Sequence, residues 1–379
     1  MNPAAEFDII VFGASGYIGR LVAEHYARHY GVGGKVKWAI AGRSQAKLAE
    51  VRDQLGAPKD MPLVEANAND PAQLASMIAR TKAIVSTVGP YQFYGSNLVA
   101  ACAAAGVDYL DLCGEPAWIR QMIDTHEATA KASGARILFS CGFDSLVFEL
   151  GVYYAQETAK ATLGAPAPHV KARLRAMQGG PSGGSVASVM ATMAAVQNDA
   201  VQRAVFMSPF GLTPGFEGPT QPQGDAVRDD PDVGPVGPFI MAALDTKNVH
   251  RSNLLMGHPY GRDFLYDEMV VGGGEIPSVG DMSLLPKPGE GPTKDEREAG
   301  FYDILFIGIG ANGRKVRTSV KGDIDPGYGA SSKMLAETAI ALMGAPDVPG
   351  GIWTPGAALR GSLVERLRRH AGVSFSVEE

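Results

Sequence analysis

Residues 8–30 read DIIVFGASGYIGRLVAEHYARHY, and the change of pattern inside them sets the architecture. Asp8 to Phe12 is continuously apolar after its first residue, as in a parallel strand covered on both faces. From Tyr17 to Tyr30 the apolar Ile18, Leu21, Val22 and Tyr26 recur at helical spacing. A strand that turns straight into a helix leaves the first helical N–H groups unpaired, at the positive end of the helix dipole. An anion seated in the turn meets those donors together. Gly13 allows the tight turn, Gly16 lets the backbone approach the anion, and Gly19 lets the helix lie close on the strand. Gly13, Ala14, Ser15, Gly16, Tyr17, Ile18 and Gly19 are therefore expected to cradle a diphosphate.

The next strand selects the dinucleotide. VKWAIAGRS (36–44) alternates in apolarity and ends in Gly42-Arg43-Ser44. An NAD site usually places an acid at this strand end, on the ribose hydroxyls. Arg43 stands there instead, and the next acid, Glu50, falls inside the following helix. A guanidinium grips a 2′-phosphate with paired, charge-assisted hydrogen bonds, and Ser44 adds a neutral one. Together with the GxxGxxG spacing, this predicts NADP rather than NAD.

The alternation continues. MPLVEANAND supplies a third strand, closed by Asp70 as N-cap with Pro71 at the first helical position. KAIVSTVGPY, VDYLDLCGEP and ARILFSCGFDS give three more, with helices over about 96–106 and 116–133. Strand and helix alternating over 145 residues predict a doubly wound parallel sheet, whose ligands sit beyond the carboxyl ends of the strands. Val88, Gly89, Pro90 and Tyr91 are then expected at the cofactor, and Asp111, Gly114, Glu115, Gly142, Phe143 and Asp144 are further strand-end candidates.

Composition bounds the rest. At 379 residues, 45% apolar and 20% charged, the chain is that of a two-domain globular protein. A net charge of −6 argues against a nucleic-acid partner. Cys102, Cys113 and Cys141 form no CxxC pair and read as reduced thiols, and MNPAAEFD lacks the marks of a secretion signal, so a cytoplasmic location is expected. The histidines show no HExxH or HxxxH spacing, so no metal is expected, and no GxSxG elbow marks a hydrolase.

Beyond residue 145 the chain changes character. HVKARLRAMQ alternates as a strand, and GGPSGGSVASVMATMAAV enters a helix of small and medium apolar residues. The glycines read first as close packing of a helix that needs small residues, and second as a cradle in which free N–H groups near Ser182–Ser185 hold another phosphate or carboxylate. Met190 and Met193 read as core or pocket lining. Residues 208–238 and 272–300 read as long loops, the first a candidate lid, and Asn312-Gly313 as a two-residue hairpin turn between strands. In the last helix Leu359, Leu363 and Leu367 oppose Arg360, Arg366, Arg368 and Arg369. That is first the pattern of a packed helix with a solvated face, and second that of a helix resting on an anionic membrane.

FGASGYIGRLVAEHY, AGRS, STVGPY, YLDLCGE, CGFDSLVFELG and DPGYGASSKMLAETAIAL together resemble the saccharopine dehydrogenase-like oxidoreductases, in the branch that includes the trans-acting enoyl reductases. The resemblance implies an NADP-binding Rossmann domain over 1–145, a substrate and dimerisation α+β domain with a mixed or antiparallel sheet over 146–325, and helices over 326–379 that return to the first domain. It also implies reduction of a C=C bond in a small-molecule or acyl-chain substrate. Tyr91 is the first candidate proton donor, with Tyr328, Lys333 and Asp144 behind it. Two alternatives remain at this stage: saccharopine-type C=N chemistry, and an NADP(H)-binding protein without turnover. A homodimer is also expected.

Overall fold

The computed structural model describes residues 5–273, 286, 287 and 289–379. Much of the loop expected over 272–300 lies outside them.

Six strands, β1 (Phe7–Phe12), β2 (Trp38–Gly42), β3 (Leu63–Glu65), β4 (Thr81–Ser86), β5 (Asp108–Leu110) and β6 (Arg136–Leu138), join in parallel in the order β6-β5-β4-β1-β2-β3. The order reverses between β1 and β4, and a crevice opens at such a switch point. Helices cover both faces, so β2 is apolar throughout and β1 is apolar but for Asp8. Asp70 caps the helix Pro71–Ile78 as expected, accepting from Ala72 N at 3.0 Å and Gln73 N at 3.1 Å.

The next six strands, β7 (His169–Gln178), β8 (Arg228–Asp230), β9 (Gly234–Pro238), β10 (Leu265–Val271), β11 (Phe301–Ile309) and β12 (Lys315–Gly322), form a second, mixed sheet in the order β12-β11-β7-β10-β9-β8. Only β7 and β10 pair in parallel among its described strands. The helix Phe143–Leu163 leaves the end of β6 and crosses to this sheet. There it buries Leu146, Val147, Phe148, Leu150 and Val152 in a core shared by both sheets. Each large side chain so buried stabilises by about 1.5–3 kcal/mol.

The C-terminal segment holds more than the helices expected of it. β13 (Gly351–Trp353) adds a seventh strand to the first sheet beside β6, and β14 (Val373–Glu378) a seventh to the second beside β12. Short strands of this kind lack enough period to be read locally. Residues 208–238 are docked rather than draped: β8 and β9 edge the second sheet, Phe210, Leu212 and Thr213 are buried, and Arg120 and Arg251 donate to the Gly211 and Leu212 carbonyls. The hairpin at Asn312-Gly313 also differs from expectation. Gly310 N bonds Arg314 O at 2.8 Å, so three residues form the loop, with Gly313 at φ +78° in the left-handed position that ends it.

The last helix, Pro355–His370, spends its leucine stripe on the fold, because Leu359, Leu363 and Leu367 are all buried. Arg366 reaches Glu337, the buried centre of a seam joining three helices. Glu337 accepts from Arg366 Nε at 2.7 Å and from Tyr30 OH at 2.8 Å, and meets His25 Nε2 at 2.6 Å. Burial opposes ionisation there, but those hydrogen bonds and the Arg366 charge hold the Glu337 carboxyl below its ordinary range. The seam ties the helix Tyr17–Tyr30 to the helix Ser331–Met343. Glu337→Ala should cost about 3 kcal/mol, because it leaves Arg366 and its partners without their acceptor. Urea denaturation should show a lower midpoint at unchanged m value.

Candidate active site

The turn after β1 has the geometry an anion needs. Gly13 takes φ +93°, and a Cβ on Gly19 would lie 2.2 Å from Gly13 O, so helix and turn meet backbone to backbone. Gly16 is the N-cap of the helix Tyr17–Tyr30 and offers no side-chain cap, which leaves the first N–H groups open. Ala14 is buried, whereas Ser15, Tyr17 and Ile18 are half-buried at the rim. At the end of β2, Arg43 is exposed and makes no hydrogen bond or ion pair with the described residues. Ser44 caps the helix Gln45–Gln54, accepting from Lys47 N at 3.3 Å while keeping its own proton to donate. An open helix end, a close-packed glycine turn and a guanidinium without an ion pair among the described residues fit a dinucleotide carrying an extra phosphate.

Beyond β4 the chain passes through Val88, Gly89 and Pro90, with a cis Gly89–Pro90 bond. A buried carboxylate organises this corner. Glu115 accepts from Tyr91 N at 2.8 Å, Gln92 N at 2.9 Å and Ser188 Oγ at 3.0 Å. Ser188 belongs to the helix Gly183–Asn198, so Glu115 joins the second domain to the cofactor turn. Tyr91, by contrast, does not face the cleft with its hydroxyl. The ring is buried against Trp118, and its OH donates to Ser86 O at 3.3 Å while accepting from Leu112 N at 3.2 Å. Burial also pushes its pKa well up. Tyr91 is a strut in this structure.

Asp144 takes a different position. It stands in the first turn of the helix Phe143–Leu163, at a kink (φ −64°, ψ 17°), with no hydrogen-bond partner among the described residues. Its side chain opens to solvent on one side, while protein crowds the other sides. That crowding, and then the negative charge of Asp325, push its pKa up to about 6. Opposite, Tyr328 OH accepts from Ser182 N at 2.5 Å, shares a proton with Ser185 Oγ at 2.6 Å, and presents its ring edge to Tyr17. The N–H groups read as a second anion cradle are therefore partly spoken for: Tyr328 takes Ser182 N, and Ser182 Oγ caps Ser185 N.

Lys333 lies elsewhere. It lines a cavity of about 310 Å³ with Glu24, Arg28, His29, Lys294 and Arg297, along the flank of the helix Tyr17–Tyr30 rather than at its N-terminus. A second cavity, of about 590 Å³, lies between the same helix and the helix Gln45–Gln54, lined by Arg20, Glu24, Val51 and Leu55. Neither holds the chemistry gathered at the strand ends. Among the described residues no group of three His, Cys, Asp or Glu side chains can hold a metal ion, and no helix is long and apolar enough to cross a membrane. The three cysteines are free and buried, and burial pushes their thiols up.

Sequence reasoning missed Ser188 and Asp325 as parts of the site, and listed Glu115 without its role. Ser188 and its partner Glu115 lie 73 residues apart, so no local pattern announces the pair, whereas the Asp325 carboxylate accepts from Gly327 N and Gly329 N within its own turn.

Fold and site together define a dinucleotide-dependent oxidoreductase class. Residues 9–138 match the model of the saccharopine dehydrogenase NADP binding domain. A provisionally named trans-acting enoyl reductase of Mycobacterium tuberculosis is 38% identical over 98% of this chain and 97% of its own. The trans-acting enoyl reductase of Mycobacterium bovis is 34% identical over 97% of each chain. Saccharopine dehydrogenase from Saccharomyces cerevisiae superposes with a TM-score of 0.56 at 11% identity, covering 98% of this chain and all of that one, a likeness of fold alone. The chain belongs to the saccharopine dehydrogenase-like oxidoreductases, in the branch of the trans-acting enoyl reductases, and is an NADP-dependent oxidoreductase.

Arg43→Ala should weaken NADPH binding about tenfold to hundredfold, the worth of a charge-assisted phosphate contact, and leave NADH binding within about twofold. Calorimetry with both nucleotides reads the difference.

Proposed function

We propose that this enzyme reduces the C=C bond of an enoyl substrate with a lipid-like acyl chain, with Asp144 as the proton donor. One observation carries the substrate class. The helix Gly183–Asn198, tied to the cleft through Ser185 and Ser188, has no charged side chain in sixteen residues. Val189, Met190 and Met193 are 47%, 52% and 41% exposed on it, so these methionines are an open apolar surface rather than core. Flexible thioether side chains suit an acyl chain of variable shape.

NADPH supplies a hydride when bound. The chain's own residues then have three tasks. The open N–H groups after Gly16, with Arg43, bind the phosphates; Glu115 and Ser188 hold the Gly89–Tyr91 turn in place; and Asp144 delivers a proton to the substrate carbon next to the thioester. A pKa of about 6 suits that last task, because a carboxyl near neutrality both holds and yields its proton.

C=N reduction of an amino acid–keto acid adduct is less well served. Such a substrate brings carboxylates, and here they would face Asp144, while Arg297, close to the turn, is spent on Tyr17 OH and Pro292 O. The relatives' names support the enoyl reading, and free, buried thiols support a cytoplasmic setting.

Asp144→Asn should lower kcat about 100-fold or more with NADPH affinity unchanged, the usual loss for a general acid. Stopped-flow NADPH oxidation with enoyl and imine substrates checks both parts. The wild-type rate should fall as pH rises through about 6, where Asp144 gives up its proton. The folded protein holds that proton more tightly than the unfolded chain, whose Asp titrates near pH ~4. Stability should therefore decline between about pH 4 and 6 and then level off, and Asp144→Asn should remove that decline.

A further inference from the structure

Tyr17 serves the glycine turn twice. Its N–H is one of the open donors behind Gly16, while its side chain leaves the turn and reaches the second domain. The Tyr17 hydroxyl donates to Pro292 O and accepts from Arg297 Nη1 at 3.0 Å. Arg297 also donates to Pro292 O at 2.8 Å, and its guanidinium lies 5.9 Å from the Tyr17 ring centroid. A Cβ on Gly291 would sit 2.7 Å from that ring, so the chain at 291–292 lies directly on it. Tyr328 meets the same ring in a T-shaped contact, with centroids 5.1 Å apart.

The segment that grips Tyr17 is itself fixed. Arg20, one turn farther along the helix, donates to Gly289 O at 3.2 Å. Gly183 N, at the start of the helix Gly183–Asn198, donates to Glu290 O at 3.1 Å. Arg297 is aimed by a short helix, Lys294–Glu298, whose start is closed by a capping box between Thr293 and Glu296. Asp325 N then ties that helix to the turn after β12 by donating to Arg297 O at 2.8 Å. Residues 289–297 thus join both domains beside the dinucleotide turn.

The turn gains from such a hold. Gly13, Gly16 and Gly19 leave its backbone unusually free, and a ligand must freeze that freedom when it binds. Among the described residues Tyr17 is the only side chain between Gly13 and Gly19 that makes a hydrogen bond. Anchoring it removes part of the ordering cost before the ligand arrives.

We propose that Tyr17 and Arg297 are positioning residues, by which the second domain holds the first helical turn in the conformation that receives the diphosphate. The cofactor site is then not complete within residues 1–145. The role rests on the dinucleotide-dependent class alone and holds whichever double bond the enzyme reduces.

The test is calorimetric titration of NADPH and of NADH into the full chain, in the wild type, Tyr17→Phe, Arg297→Ala and the double variant. Tyr17→Phe keeps the ring and loses the hydroxyl. It should weaken both dinucleotides by the same factor, about threefold to tenfold, the worth of one hydrogen bond. Arg297→Ala should also weaken both alike, and the double variant should lose less than the product of the two, because the residues share one contact. Should Tyr17→Phe not fold, Arg297→Ala carries the comparison of the two dinucleotides. A merely structural contact would lower the urea midpoint and leave both affinities untouched, and that result overturns the proposal. A loss confined to NADPH overturns it too, since the pair would then read the extra phosphate. So do losses that multiply in full, because Arg297 would then act without Tyr17.

Discussion

The close approach of one helix to one strand, made through backbone at Gly13 and Gly19, is the constraint on which this molecule depends. A Cβ on Gly19 would sit 2.2 Å from Gly13 O, so only a residue without a side chain closes that joint. Once it is closed, the open N–H groups behind Gly16 point into the crevice where the strand order reverses. The other functional features are arranged around that point. Arg43 stands at the adjacent strand end, the Gly89–Tyr91 turn at the end of β4, and Asp144 just past the end of β6.

The second domain completes this crevice with polar ties at two corners. Glu115 binds the helix Gly183–Asn198 to the turn after β4 through Ser188. The Asp325–Ala330 turn binds the same helix through Tyr328 and the first domain through Ser331. Between these ties the helix presents an uncharged face, so specific hydrogen bonds fix where it sits and apolar surface is left for a ligand. The C-terminal strands lock the arrangement by adding one edge to each sheet.

Burial acts in opposite senses on the acids of this protein. Glu337 and Glu115 are buried as acceptors of several donors, and they hold helices and turns together. Burial pushes Asp245, Glu268 and Glu149 toward the neutral form, although Oε2 of Glu149 accepts from Ser252 Oγ and Gly356 N. Asp144 falls between, crowded but open on one side, which is the environment that turns an ordinary carboxyl into an acid useful near neutrality.

The sequence by itself determined the elements whose physics is local. The glycine turn, the apolar strand before it, the Asp70 cap and the arginine in place of an acid at the end of β2 are each legible within a dozen residues, because sterics, dipoles and strand periodicity act over that distance. The same holds for the alternation that made the first sheet parallel. Tertiary structure alone decided which candidates share a site. Tyr91 and Asp144 look alike in sequence, each just past the end of a strand, yet one hydroxyl is consumed by Ser86 and Leu112 while the other side chain stays open. Lys333 follows Tyr328 by five residues and still turns to the cavity beside the helix Tyr17–Tyr30. Ser188 and the strand β14 gain their meaning from partners dozens of residues away. Hydrogen-bond satisfaction and burial depend on such partners, and no window of sequence contains them.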